Sequence, residues 1–169
     1  MKRILTIAAA LMVCVLAHCQ EFSIKDGKVS WERIYDTDMN NGDILRSLYI
    51  SNRFFDIVQV DSTLIVGHVK YKKLDYESFG YSRMRLPMYL TNEAIGPAFF
   101  IMQIKEGKYR VVVSDIQLTS LIQPYGKSSL DFYAIEGGDL SEDFKKYGIQ
   151  MVSDLFSKAF TLEKLDSEW

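Results

Sequence analysis

Hydrophobic and polar positions alternate most clearly from Ala98 to Leu118, AFFIMQIKEGKYRVVVSDIQL, which reads as two long strands joined at Glu106-Gly107. A two-residue loop there sets Lys105 against Lys108, Ile104 against Tyr109, Met102 against Val111 and Phe100 against Val113. One face of the hairpin is then wholly apolar. The other carries Phe99, Ile101 and Val112 beside Gln103, Arg110 and Ser114. A slip of one residue would mismatch both sets, so this register is expected at the centre of the sheet.

The same period of two runs through Lys28 to Tyr35, with Phe22 to Ile24 as a lead-in across the turn pair Asp26-Gly27. It returns in Asp56 to Val60 and Thr63 to Tyr71 around Asp61-Ser62, where Leu64, Val66 and His68 share one face and Ile65, Gly67 and Val69 the other. Between these strands Ile44, Leu45, Leu48, Tyr49 and Phe55 fall at helical spacing. This predicts a helix capped by Asn40, Asn41 or Asp43 and ending near Phe54. Met84 to Leu90 reads as an edge strand limited by Pro87, and Asp131 to Ile135 as a short strand in the turn-rich stretch Thr119 to Gly138. Phe144, Gly148, Met151, Leu155, Ala159 and Leu162 form the stripe of a terminal helix, with Asp139 and Glu142 spaced as a capping box. The order β-α-β-β-(β)-β-β-α predicts an α+β two-layer sandwich, a mainly antiparallel sheet with two helices on one face.

Composition changes the picture at the N-terminus. Lys2 and Arg3 precede an apolar run from Ile4 to Ala17, the layout of a secretory signal and too short to span a bilayer. The expectation is a signal peptide over residues 1–19 and a single α+β domain over 20–169. Ala17-His18-Cys19 fits cleavage before Gln20, and Leu16-Ala17-His18-Cys19 also has the form of a lipobox with Cys19 as the lipidated residue. Without Lys2 and Arg3 the chain keeps 18 basic residues against 22 acidic ones, a net charge near −4 and the wrong sign for a nucleic-acid binder. Both cysteines, Cys14 and Cys19, fall in the signal, so no disulfide is expected and the domain relies on its core.

The Asp26-Gly27-Lys28-Val29 turn with Trp31 opening the first strand, the Asp43 to Tyr49 helix after it, and Glu106-Gly107-Lys108-Tyr109-Arg110 at the hairpin give a recognisable series. In that order, over most of Phe22 to Leu165, the chain resembles a domain family of unknown function found in secreted bacterial proteins. The fold of that family is like that of the TATA-binding protein. It departs from the family pattern late in the first helix, where Phe54 and Phe55 stand in place of a tryptophan. The resemblance implies the fold and brings no catalytic residues, and a shared fold does not bring DNA binding with it.

Chemical motifs are sparse. Asp36, Asp38 and Asn40 have the start of a calcium-loop spacing, but Asn41 and Ser47 stand where glycine and glutamate are required, so a helix-capping turn is expected. Gly126-Lys127-Ser128 lacks the upstream glycine of a phosphate loop, since Leu121 holds that place. His68 has no second histidine or cysteine with which to share a metal, and Lys72-Lys73 and Lys145-Lys146 read as solvated faces. No cofactor or metal is expected.

These residues predict an exported, non-enzymatic binding or interaction module of the periplasm or cell envelope. Phe99, Ile101, Gln103, Arg110 and Val112 would form its recognition face, turned to a protein, glycan or small molecule. It would take no nucleic acid and would touch the membrane only if Cys19 is lipidated. Two alternatives stand beside it: a hydrolase with a site of carboxylates or His68, and a structural envelope lipoprotein. A further competitor has Lys72 to Pro97 or Thr119 to Gly138 folding over the recognition face.

Overall fold

Strands begin where the period of two begins. The computed structural model describes residues 21–70, 72–122 and 126–164; the signal-like segment with Cys14, Cys19 and Gln20, together with Tyr71 and Pro124, lies outside them. Strands β1 (Phe22–Lys25) and β2 (Lys28–Asp36) pair antiparallel across Asp26 and Gly27, whose φ values of 53° and 73° suit a tight hairpin turn. Helix α1 (Asn41–Ile50) follows, and the Asn40 side chain accepts the Asp43 amide at 3.0 Å as its N-cap. The Asp36 to Asn40 turn thus caps a helix, as expected, and Asp36 itself pairs with Lys108 at 3.2 Å.

Strands β3 (Phe54–Gln59) and β4 (Leu64–Val69) form the second hairpin, with a bulge between Phe55 and Val58. Beyond the two-residue β5 (Lys72–Lys73), α2 (Met88–Thr91) and β6 (Glu93–Ile95) lead into β7 (Ala98–Lys105) and β8 (Lys108–Ser114). Their register sets Phe100 on Val113, Met102 on Val111, Ile104 on Tyr109 and Lys105 on Lys108, as the sequence pattern predicts. Then come β9 (Gln117–Ser120), β10 (Lys127–Ser129), α3 (Asp131–Ala134), β11 (Ile135–Glu136), β12 (Asp139–Leu140) and the terminal helix α4 (Ile149–Phe160).

Six strands make the main sheet in the order β1-β2-β8-β7-β4-β3, every neighbour antiparallel. One face carries Trp31, Phe54, Ile65, Phe100, Met102, Val111 and Val113, all buried in one core with Ile44 and Leu48 of α1 and Met151, Val152, Phe156 and Phe160 of α4. Aromatic rings fill its middle. Phe160 lies 5.0 Å from Phe54, 5.2 Å from Phe100 and 6.2 Å from Trp31, and Tyr109 donates its hydroxyl to the Phe160 carbonyl at 2.7 Å. Gly67 of β4 leaves room for the Phe100 ring, since a Cβ there would come within 2.9 Å of it. A two-layer α+β sandwich with the long helices on one face is the result.

Several local expectations fail for physical reasons. Helix α1 ends at Ile50, so Phe54 and Phe55 lie on β3 rather than on the helix, and Tyr49 is exposed while Ser47 is buried. Met84 to Leu90 is not a strand: a 3-10 turn covers Arg83–Arg85, and Pro87 stands just before α2. Asp131 to Ala134 is helical, with only Ile135 and Glu136 extended. The terminal helix is entered through a π-helical segment, Phe144–Gly148, where Ser141 Oγ accepts the Phe144 amide at 3.3 Å. Asp139 instead accepts the amide of Leu140, and Leu162 lies past the helix end.

A second sheet, β10-β9-β6-β5, arises where the chains of β7 and β8 run on into β6 and β9. Ala94, Ile95, Leu118, Leu74, Tyr76, Leu90 and Leu130 from this region are buried, and all but Ala94 belong to the helix-side core cluster. From the segments Lys72 to Pro97 and Thr119 to Gly138, Leu74, Tyr76, Leu90, Ile95 and Leu130 thus pack into the common core, while Met84, Met88, Leu121, Ile122 and Phe132 stay exposed.

Candidate functional site: the helix-free sheet face

Alternation fixes what the other face presents. Along β7 the burial pattern switches residue by residue, with Ala98, Phe100 and Met102 buried and Phe99 and Ile101 half-buried. Strand β8 repeats it with Tyr109, Val111 and Val113 buried and Arg110, Val112 and Ser114 half-buried. A face covered by a second layer would bury both sets.

The strand pairings lay this face out in rows. Ser114, Phe99, His68 and Phe55 form the first, with His68 stacked on Phe55 at 5.1 Å and edge-on to Phe99 at 5.6 Å. Next is an aliphatic belt four strands wide, Val112, Ile101, Val66 and Val58, with Glu32 beside Val112 on the fifth strand. Ile34, Arg110, Gln103 and Leu64 follow, and Asp36, Lys108 and Lys105 close the hairpin end. Phe99, Ile101, Gln103, Arg110 and Val112 thus share one face as the sequence predicts. Ile34 and Val58 at its sides are 59% and 53% exposed.

Arg110 is not a lone cation. Its Nε and Nη2 each donate to a Glu32 carboxylate oxygen at 2.8 Å, and Nη1 donates to Gln103 Oε1 at 3.2 Å. This two-pronged bond holds the Glu32 carboxyl below its ordinary range and the guanidinium above its own. The belt is therefore crossed by a neutral, oriented pair. Glu32 escaped sequence reasoning because it lies on another strand, although it alternates with Trp31 and Arg33 in plain view. Beside Arg110 a shallow groove of about 540 Å³ runs over Ile34, Leu64 and Ile104, rimmed by Lys105 and Lys108.

His68 sits at the aromatic end. Its Nδ1 is buried without a hydrogen-bond partner, and the Asp56 carboxylate at 3.9 Å is beyond hydrogen-bonding distance. The depression next to it, about 430 Å³, holds Asp115, which is paired with Lys28 at 2.5 Å. Among the described residues no three His, Cys, Asp or Glu side chains gather as a metal site. Among the same residues no helix is long and apolar enough to cross a membrane.

The fold and this face define an α+β sandwich of the TATA-binding-protein-like kind, as the resemblance implies. Among solved structures, a TBP-like protein from Parabacteroides distasonis is similar over 83% of this chain and 98% of its own, at 13% identity and a TM-score of 0.52. A DUF4468 family protein from Bacteroides ovatus is similar over 88% of this chain and 95% of its own, at 15% identity and a TM-score of 0.50. At such identities the likeness is one of fold. No family model matches the sequence, and no curated protein matches it.

Proposed function

We propose that the chain is an exported, non-enzymatic interaction module that docks another protein on the helix-free face of its main sheet. The observation that carries this reading is the aliphatic belt across four adjacent strands, Val112, Ile101 and Val66 half-buried and Val58 exposed, bordered by aromatic rings. Polar residues are the ordinary filling of an uncovered antiparallel face. The rows extend roughly 20 Å in each direction, a patch on the order of 400 Å². That is the core of an interface of about 800 Å² per partner. The face is broad and its two concavities are shallow, which suits a protein better than a glycan or a small molecule, which need an enclosing site. An apolar centre crossed by an oriented Arg110–Glu32 pair, with Lys105, the Lys108–Asp36 pair and Asp61 at the margin, calls for a partner with an apolar patch and a polar rim of mixed charge. The hydrolase reading has less support, because His68 has no carboxylate within hydrogen-bond reach and lies beside a shallow depression.

Export rests on the order of Lys2-Arg3, the Ile4 to Ala17 run and Cys19. Intact mass of the protein in its native host tests it: a mature start at Gln20 or a lipidated Cys19 is expected, and an unprocessed chain in the cytoplasm refutes it. For the face, a photo-crosslinking residue at Ile101 should give one defined protein adduct in cells, and the same group at exposed Lys73 should not. Equal yields at the two positions would contradict the reading.

A further inference from the structure

A second surface, sharing no residue with the sheet face, lies where α2 and α3 meet the start of the terminal helix. It is a shallow groove of about 720 Å³. Met88 and Phe132 line it and are 73% and 77% exposed, which makes them two of the most exposed large apolar side chains among the described residues. Phe132 is nevertheless held in place, edge-on to Tyr133 at 5.0 Å, and Tyr133 stacks on Tyr89 at 4.8 Å. Phe132 and Met88 thus add little to the core, whereas Tyr89 is part of it and Tyr133 packs against it; exposed apolar side chains clustered in this way mark contact sites.

The facing wall is acidic. Glu136, Glu142 and Asp143 line it, and no lysine or arginine does. Lys145 bridges Glu142 and Asp139 at 3.1 Å each, which leaves Glu136 and Asp143 without an ion pair among the described residues. Tyr89 supplies an independent sign of a missing partner: the residue is 6% exposed, lines the groove, and its buried hydroxyl has no hydrogen-bond partner. A buried hydroxyl left unsatisfied is unfavourable, and native structures rarely leave one. Burial and the nearby Asp143 charge both push that hydroxyl's pKa up, so the two groups share one neighbourhood.

We propose that this groove binds a basic polypeptide segment. A lysine or arginine side chain would lay its methylene stem on Met88 and Phe132 and set its cationic head between Glu136 and Asp143, on the side of the Tyr89 hydroxyl. Long cationic side chains cover apolar surface in this way, and an exposed aromatic ring attracts their charge. The groove is too open to retain a small free amine, which would lose its freedom for few contacts. Several adjacent contacts along a peptide overcome that.

The test uses the full domain, an acetylated peptide alternating arginine with alanine, its glutamate counterpart, and N-acetyl-arginine amide. Backbone amide shifts in NMR titrations report the site and the affinity. The arginine peptide is expected to move Met88, Phe132, Tyr133 and Asp143, more weakly as salt rises. Phe132→Ser, and separately Glu136→Lys with Asp143→Lys, should each weaken binding about tenfold while the protein stays folded. Absence of binding, equal binding of the glutamate peptide, shifts centred elsewhere, or indifference to these variants would overturn the proposal. Binding of the single amino-acid amide as tight as that of the peptide would overturn the assignment to a polypeptide.

Discussion

Gly67→Ala probes the packing that decides which face of the sheet the helices cover. A Cβ at position 67 would come 2.9 and 3.0 Å from two ring atoms of Phe100 and 3.3 Å from the Ile57 backbone. Phe100 cannot yield easily, because it is fully buried between Phe54 at 5.3 Å and Phe160 at 5.2 Å. Overpacking of this kind costs about 1–3 kcal/mol. Removing a strand glycine returns roughly 0.5–1 kcal/mol through the unfolded chain. The two terms leave a loss centred near 1 kcal/mol and reaching about 2.5 kcal/mol, and the central value lowers the melting temperature of a domain of this size by roughly 2–4 °C. Thermal unfolding by circular dichroism reads it directly. The companion variant Phe100→Leu should lower stability alone and yet relieve the clash, so the double variant must be more stable than the sum of the two losses. An unchanged or raised melting temperature for Gly67→Ala, or strict additivity in the double variant, would refute the placement of Phe100 over β4.

Three further outcomes follow from the same geometry. Glu32 is held below its ordinary 4.5 by Arg110, so the pair's contribution is complete above about pH 4.5 and is lost as pH falls through the lowered folded value. The pair is partly exposed and is worth about 0.5–1 kcal/mol; Glu32→Gln should flatten that acid limb in chemical denaturation between pH 3 and 6, and an unchanged limb would count against the pair. Tyr109→Phe removes the buried hydroxyl bond to Phe160 at the end of α4 and should lower stability by about 1–2 kcal/mol in the same assay, where no loss would contradict that bond. Duplex DNA should show no salt-sensitive shift at micromolar protein, since the acidic chain lacks the cationic surface that minor-groove binding requires; such a shift would refute the protein-docking reading.

The main sheet was legible because its strands are long enough to show a period. Eight residues of β7 and seven of β8 around Glu106-Gly107 set register and facing together, and the faces of β4 followed from Ile65, Gly67 and Val69 in the same way. Phe54 and Phe55 misled because a short apolar run fits the end of a helix as well as the start of a strand. The second sheet has strands of two to four residues, too few to express a period, and what holds Ile95 and Leu118 together is their burial in the common core. Five residues of the candidate face could be named because they lie on one hairpin. Glu32, Val66, Val58, His68 and Phe55 join them only through the order β2-β8-β7-β4-β3, a long-range choice that no local pattern encodes.

The central claim is that this face is uncovered in the free protein, and the stability of Ile101→Thr with Val112→Thr tests it most directly. Threonine keeps the β-branched shape and strand preference of both residues, so polarity is the property that changes and the burial of the site sets its cost. With the face open, the double variant should lose less than about 1 kcal/mol. Met102→Thr on the buried side of the same strand should lose about 2 kcal/mol or more. A photo-crosslinking residue placed at Val66, which pairs with Ile101 on the same face, should lose its adduct in the double variant. A loss of about 2 kcal/mol or more from Ile101→Thr with Val112→Thr, matching that of Met102→Thr, would mean that the face is part of the core, and the account of it as a docking surface would be wrong.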